Sequence, residues 1–158
     1  MEQENLIPIY FSDLPNDHDS LLHSMFEVLD KKRSHAWRHI PAGIKEAFEN
    51  HHLHDWIVSS IQISHEGSIC AEIKAIHGES ECTMRFENIK QFGINGEISL
   101  KGLSYPSLPN DPPGIAQIQD IWVEYNKDLE FLILLNDSQY IKIVTQVPHS
   151  KRSSGPRK

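Results

Sequence analysis

The sequence predicts an α+β fold, with N-terminal helices packed on a twisted, mainly antiparallel sheet of about five to seven strands. Two observations carry this expectation. Apolar residues up to about residue 52 recur with helical spacing, and from Trp56 onward the pattern changes to the alternation of strands with one buried face. A third is size: 158 residues, 39% of them hydrophobic and 23% charged, suit a single packed domain over 1–147. Within it, 1–52 form a helical segment and 53–147 a sheet segment, and 148–158 read as a disordered basic tail.

An apolar opening at Leu6 to Phe11 is compatible with an extended conformation. Asn16-Asp17-His18-Asp19-Ser20 then offers several N-cap residues. Leu21, Leu22, Met25, Phe26 and Leu29 make one apolar face of a helix, and Lys31, Lys32 and Arg33 sit where the dipole favours cations, which places its end near Arg33. A second helical stretch from Ser34 is interrupted at Pro41 and Gly43 and resumes through Ile44, Ala47 and Phe48.

The first strand places Ile57, Ser59, Ile61 and Ile63 on one face. A turn at His65-Glu66-Gly67 leads to a second strand, Ser68 to Ile76, with Ile69, Ala71, Ile73 and Ala75 on one side. After His77-Gly78-Glu79, a third strand turns Cys82, Met84 and Phe86 one way and Glu81, Thr83 and Arg85 the other. Asn95-Gly96 is a strong two-residue hairpin signal within Phe92 to Leu103. Tyr105 to Gly114 contains four prolines and reads as a surface loop. Three further strands are expected at Ile118 to Tyr125, Leu129 to Leu135 and Gln139 to Val147, with turns at Asn126-Lys127-Asp128 and Asn136-Asp137-Ser138.

Charge narrows the function classes. The net charge is −7, yet Lys151, Arg152, Arg157 and Lys158 all lie in the last eight residues, and the rest holds 22 acidic against 11 basic residues, a body of −11. Such a body is poorly suited to nucleic acid, because neutralising phosphates requires clustered Lys and Arg. It suits a basic partner; the plainer alternative is that acidity only maintains solubility. The acidic first residues form no secretory signal and no apolar run approaches the roughly 20 residues of a membrane span, so a cytoplasmic location with no membrane contact is expected. Cys70 and Cys82 fall on neighbouring strands and are expected to be reduced; Cys70, between Ile69 and Ala71, reads as an inert buried thiol.

No nucleophile elbow, phosphate-binding glycine loop or dinucleotide fingerprint occurs, so neither an enzymatic activity nor a cofactor is expected. The candidate metal cluster is His51-His52-Leu53-His54-Asp55, with His51, His54 and Asp55 as possible ligands. It lacks the Glu-x-x-His and His-Glu-x-x-His spacings and has no paired cysteines. Its His-Asp step, a mark of all-helical metal phosphohydrolases, leads here into a sheet. The competing expectation is that His54 and Asp55 close the junction between helix and first strand by bonding to backbone. In the strand Ile118 to Tyr125, Ile121, Val123 and Tyr125 form an apolar face, with Asp120, Trp122 and Glu124 opposite. Trp122 between two carboxylates is either an exposed anchor for a basic partner or a core residue under a helix.

His54-Asp55-Trp56-Ile57-Val58-Ser59-Ser60-Ile61, the Phe86-Glu87-Asn88-Ile89 segment and the later Ile118-Gln119-Asp120-Ile121 strand resemble a pattern of small bacterial immunity-type proteins. These belong to polymorphic-toxin and contact-dependent inhibition systems. The resemblance covers roughly Leu53 to Val147 and carries over no catalytic residue. It implies a protein that neutralises a cognate toxin by binding and occluding it; the alternation of the strand Ile118 to Tyr125 independently offers Asp120, Trp122 and Glu124 as the partner-binding candidates. The alternatives are a metal-binding protein or enzyme using the His51 to Asp55 cluster, and a non-catalytic structural or assembly module. The resemblance leaves the oligomeric state open.

Overall fold

A computed structural model describes residues 6–11, 19–50, 52–94, 97–98, 104–105, 117–136 and 139–147. These form helices α1 (Ile7–Tyr10), α2 (Asp19–Ala36) and α3 (Ala42–Asn50), with a 3₁₀ turn at Trp37–His39 between the last two. Nine strands follow among the described residues: β1 (Ile57–Glu66), β2 (Ser68–His77), β3 (Ser80–Phe86), β4 (Ile89–Ile94), β5 (Glu97–Ile98), β6 (Ser104–Tyr105), β7 (Ile118–Asn126), β8 (Asp128–Leu135) and β9 (Tyr140–Gln146). The fold is α+β, and every strand pairing in it is antiparallel.

Leu6 to Phe11 is not extended. Pro8 lies in the first turn of α1, where its missing N–H costs nothing, and the Phe11 amide closes the turn on Ile7 at 3.1 Å. α2 runs past Arg33 to Ala36 and on through the 3₁₀ turn, because nothing stops it until Pro41, which holds Ile40 at φ −77°, ψ 131°. The stretch from Ser34 is therefore the end of the first helix. The Pro41 carbonyl then accepts the Ile44 and Lys45 amides at 3.0 Å and starts α3. Of the apolar face expected on α2, Met25 and Leu29 are buried and Leu22 is half-buried, whereas Leu21 and Phe26 are over 40% exposed.

The strands form two sheets, in the orders β3-β2-β1-β6 and β5-β4-β9-β8-β7, rather than one meander. The chain changes sheets at Glu87–Asn88, where Asn88 takes a left-handed φ of 57°; β3 pairs with β2, and β4 pairs with β9. β2 and β3 bury the faces their alternation predicts. β1 does not, because a bulge between Val58 and Ser60 inserts Ser59, whose hydroxyl donates to the Lys74 carbonyl at 3.2 Å. Val58 thereby joins Ile61 and Ile63 in the core in place of Ile57 and Ser59. Glycines at φ 81° and 62° serve the turns after β1 and β2, Gly67 and Gly78. β5 pairs with the end of β4 as the Asn95-Gly96 signal implies, although those two residues lie outside the described ones. Tyr105 is paired with Ile61 in β6 rather than in the loop; residues 106–114 and the tail 148–158 lie outside the described residues.

One apolar core joins the two sheets and α3, with Phe86 of β3 meeting Phe131 of β8 edge-to-face at 5.0 Å. A second, smaller core of Leu6, Ile7, Met25, Leu29, Trp122, Leu132 and Leu134 lies on the other side of the five-stranded sheet, under α1 and α2. β8 is consequently buried on both faces from Phe131 to Leu135. No helix among the described residues is long and apolar enough to cross a membrane.

Candidate functional site

β7 positions most of the candidate residues. It carries a bulge between Ile118 and Asp120, which makes Gln119 the extra residue and frees its carbonyl from the regular ladder. Two side chains take up that carbonyl: His54 Nδ1 at 2.8 Å and the Tyr10 hydroxyl at 3.4 Å. Beyond the bulge the strand alternates as expected, with Ile121, Val123 and Tyr125 in the larger core and Asp120, Trp122 and Glu124 on the opposite face.

That opposite face is not an exposed patch. Trp122 is 3% exposed, packed in the core under α1 and α2, with the Tyr10 ring edge-on at 5.5 Å. Its indole N–H donates to Asp120 Oδ2 at 3.1 Å, and Asp120 Oδ1 accepts the Ile121 amide at 2.8 Å. Glu124 pairs with Lys32 of α2 at 3.1 Å, both side chains being mostly covered. The Glu124–Lys32 pair therefore ties α2 to the sheet, while the Asp120 bonds stay within β7. Sequence contained a signal for the covered face: the unbroken run Phe131 to Leu135 marks a strand buried on both sides, and its neighbour must then lie between the same two layers.

Burial pushes the Asp120 carboxyl above the ordinary carboxylate range, while the bonds from Ile121 and Trp122 and the charges of Arg33 and His54 pull the other way. Burial, with a smaller contribution from the Asp120 charge, pushes the Tyr10 phenol up to about 12.

His54 and Asp55 form a clasp between the start of β1 and the start of β7. Asp55 sits at φ 76°, a left-handed conformation that Asp tolerates, and its amide donates to the Ile118 carbonyl at 2.8 Å. The Ile118 amide returns to the Trp56 carbonyl at 2.7 Å, and Gln117 Nε2 donates to Asp55 Oδ1 at 3.0 Å. His54 Nε2 lies 3.3 Å from the same carboxylate oxygen. Both ring nitrogens thus face acceptors within the protein, the geometry of a junction rather than of a ligand turned toward a metal. His51 lies outside the described residues. Among the described residues no three His, Cys, Asp or Glu side chains converge to hold a metal ion.

A cleft of about 190 Å³ opens beside this clasp and brings His54 and Asp120 together with His52 and Arg33. Arg33, which sequence reasoning assigned only to a helix end, lies 5.3 Å above the Phe48 ring. Among the described residues that line the cleft there is no Ser, Thr, Cys or Lys to act as nucleophile. Cys70 and Cys82 are free and buried on opposite faces of their sheet, since Cys82 stands opposite Ala75 on the core side and Cys70 alternates with Ala71. Burial raises the Cys82 thiol, which makes it unreactive.

Comparison with protein-family models, with curated proteins and with solved structures finds no match to this chain.

Proposed function

We propose that this chain is a non-catalytic binding protein of the immunity type, which neutralises a basic toxin by covering it. The observation that carries this reading is the charge of the body, 22 acidic against 11 basic residues outside the last eight positions. Ion pairs such as Lys74 with Glu81, Arg85 with Glu72 and Glu87, and Lys90 with Asp128 leave this net charge unchanged. On α3, Glu46 and Glu49 are exposed and three positions apart, so they share one helical face toward solvent. Carboxylates placed in this way steer a basic partner into contact through long-range fields.

The cleft chemistry supports binding over catalysis, because His54, Asp55 and Asp120 are all engaged in bonds that hold β7 and its neighbours in place. Trp122 belongs to the fold in this reading, and the partner meets other surfaces.

The test is co-expression with the protein encoded by the adjacent gene. An immunity protein restores growth to cells producing that toxin and abolishes the toxin's activity in a purified mixture. Unchanged toxicity with both proteins soluble and folded would remove this reading.

A further inference from the structure

We propose that a second cavity, where α3 begins, β3 ends and β9 ends, binds a small, uncharged, largely apolar molecule that carries one hydrogen-bonding group. This site is independent of the toxin-binding reading. Its volume is about 410 Å³, within the roughly 300–1,000 Å³ of small-molecule pockets. Its floor consists of Ile44, Phe86, Leu129 and Phe131, all 2% exposed or less, and among the described lining residues Thr145 and the Nε2 atom of His39 are the buried polar groups beside them. An apolar body fits such a floor.

The rim disfavours an anionic ligand. Its strongest cation, Arg85, donates to Glu72 and Glu87 at 2.9 Å each, so it reaches the rim already neutralised by two carboxylates. A ligand carboxylate would have to compete with both, whereas a hydroxyl or amide would not. β3 is the outer described strand of its sheet, and no described strand pairs with its other edge.

Gly43 points to the same use. It lies in the first turn of α3, lines the cavity, and is exposed. Glycine is a poor helix former, and neither of its usual justifications applies here: its φ is not positive, and a Cβ built on it would meet nothing within 4 Å. A larger side chain placed here can therefore cover the cavity mouth without displacing the fold.

The test uses two matched probes on the full chain, 4-ethylphenol and 4-ethylbenzoate, read by methyl NMR. Saturable shifts of the Ile44 and Leu129 methyls with 4-ethylphenol are expected, with 4-ethylbenzoate at least about tenfold weaker, the cost of a charge denied a partner. Gly43→Phe should weaken 4-ethylphenol by about tenfold or more with an unchanged circular dichroism spectrum, because it fills a mouth that the fold leaves open. Should Gly43→Phe not fold, Thr83→Trp, at another exposed position lining the cavity, carries the same expectation. Absence of saturable shifts, equal affinity for the two probes, or undiminished binding by a folded blocking variant would each overturn the proposal.

Discussion

Replacing Trp122 by alanine tests the covered face of β7 most sharply. The indole is 3% exposed and lies among Met25, Leu29, Leu132 and Leu134, and its loss opens a cavity between α2 and the sheet. Large-to-small changes of this kind cost about 3–5 kcal/mol. Asp120 also loses the indole N–H from one carboxylate oxygen, which adds to the cost because that carboxyl is largely buried. For a chain of this length, roughly 2–4 °C per kcal/mol places the fall in melting temperature at about 6–20 °C. Urea denaturation followed by circular dichroism measures the free energy, and thermal scans measure the shift. A Trp122→Phe variant should recover much of the loss by refilling the space. A Trp122→Ala protein with a melting temperature within about 2 °C of wild type would refute the covered face, and weakened partner binding in such a protein would restore the exposed-anchor reading.

Other expectations follow from the same geometry. Because the folded-state value of Asp120 is raised, the stability it contributes is present below the ordinary carboxylate value near 4 and is lost as pH rises through the raised one; Asp120→Asn should therefore gain on wild type in denaturation experiments as pH climbs above about 4. The Tyr10 phenol, raised to about 12, contributes stability that is intact below about 10 and lost as pH rises through 12. Phenolate absorbance should show a late ionisation step near pH 12 that Tyr10→Phe removes. His54→Ala breaks the bond to the Gln119 carbonyl and should cost about 1 kcal/mol. Added zinc should leave the wild-type melting temperature unchanged, and a zinc-dependent rise that His54→Ala abolishes would reinstate the metal reading.

Much of the sheet was legible because alternation is a local property. Ala71, Ile73 and Ala75 on β2 and Cys82, Met84 and Phe86 on β3 face the core as their spacing predicts. β1 was misread at its first half because one inserted residue, Ser59, reverses the facing of everything before it, and composition does not reveal a bulge. The division into two sheets depends on the left-handed Asn88 and on which distant strands find each other, neither of which periodicity records. For the candidate site, the His54-Asp55 junction was recognisable from its short polar side chains. The carbonyl that receives His54 was not, since it is freed by the bulge at Gln119, 65 residues away. Arg33 reaches the same cleft because α2 packs on β7, a contact between distant segments that periodicity does not record.

The central proposal, that an acidic body captures a basic partner without chemistry of its own, is tested most directly by association kinetics with the purified protein encoded by the adjacent gene. Stopped-flow measurements should show a stoichiometric complex whose association rate falls about tenfold or more between roughly 0.05 and 0.5 M salt, as screening removes the steering field. Glu46→Lys with Glu49→Lys should slow association further at low salt and leave folding intact. Failure to form a complex, or an association rate indifferent to salt and to both reversals, would contradict the account.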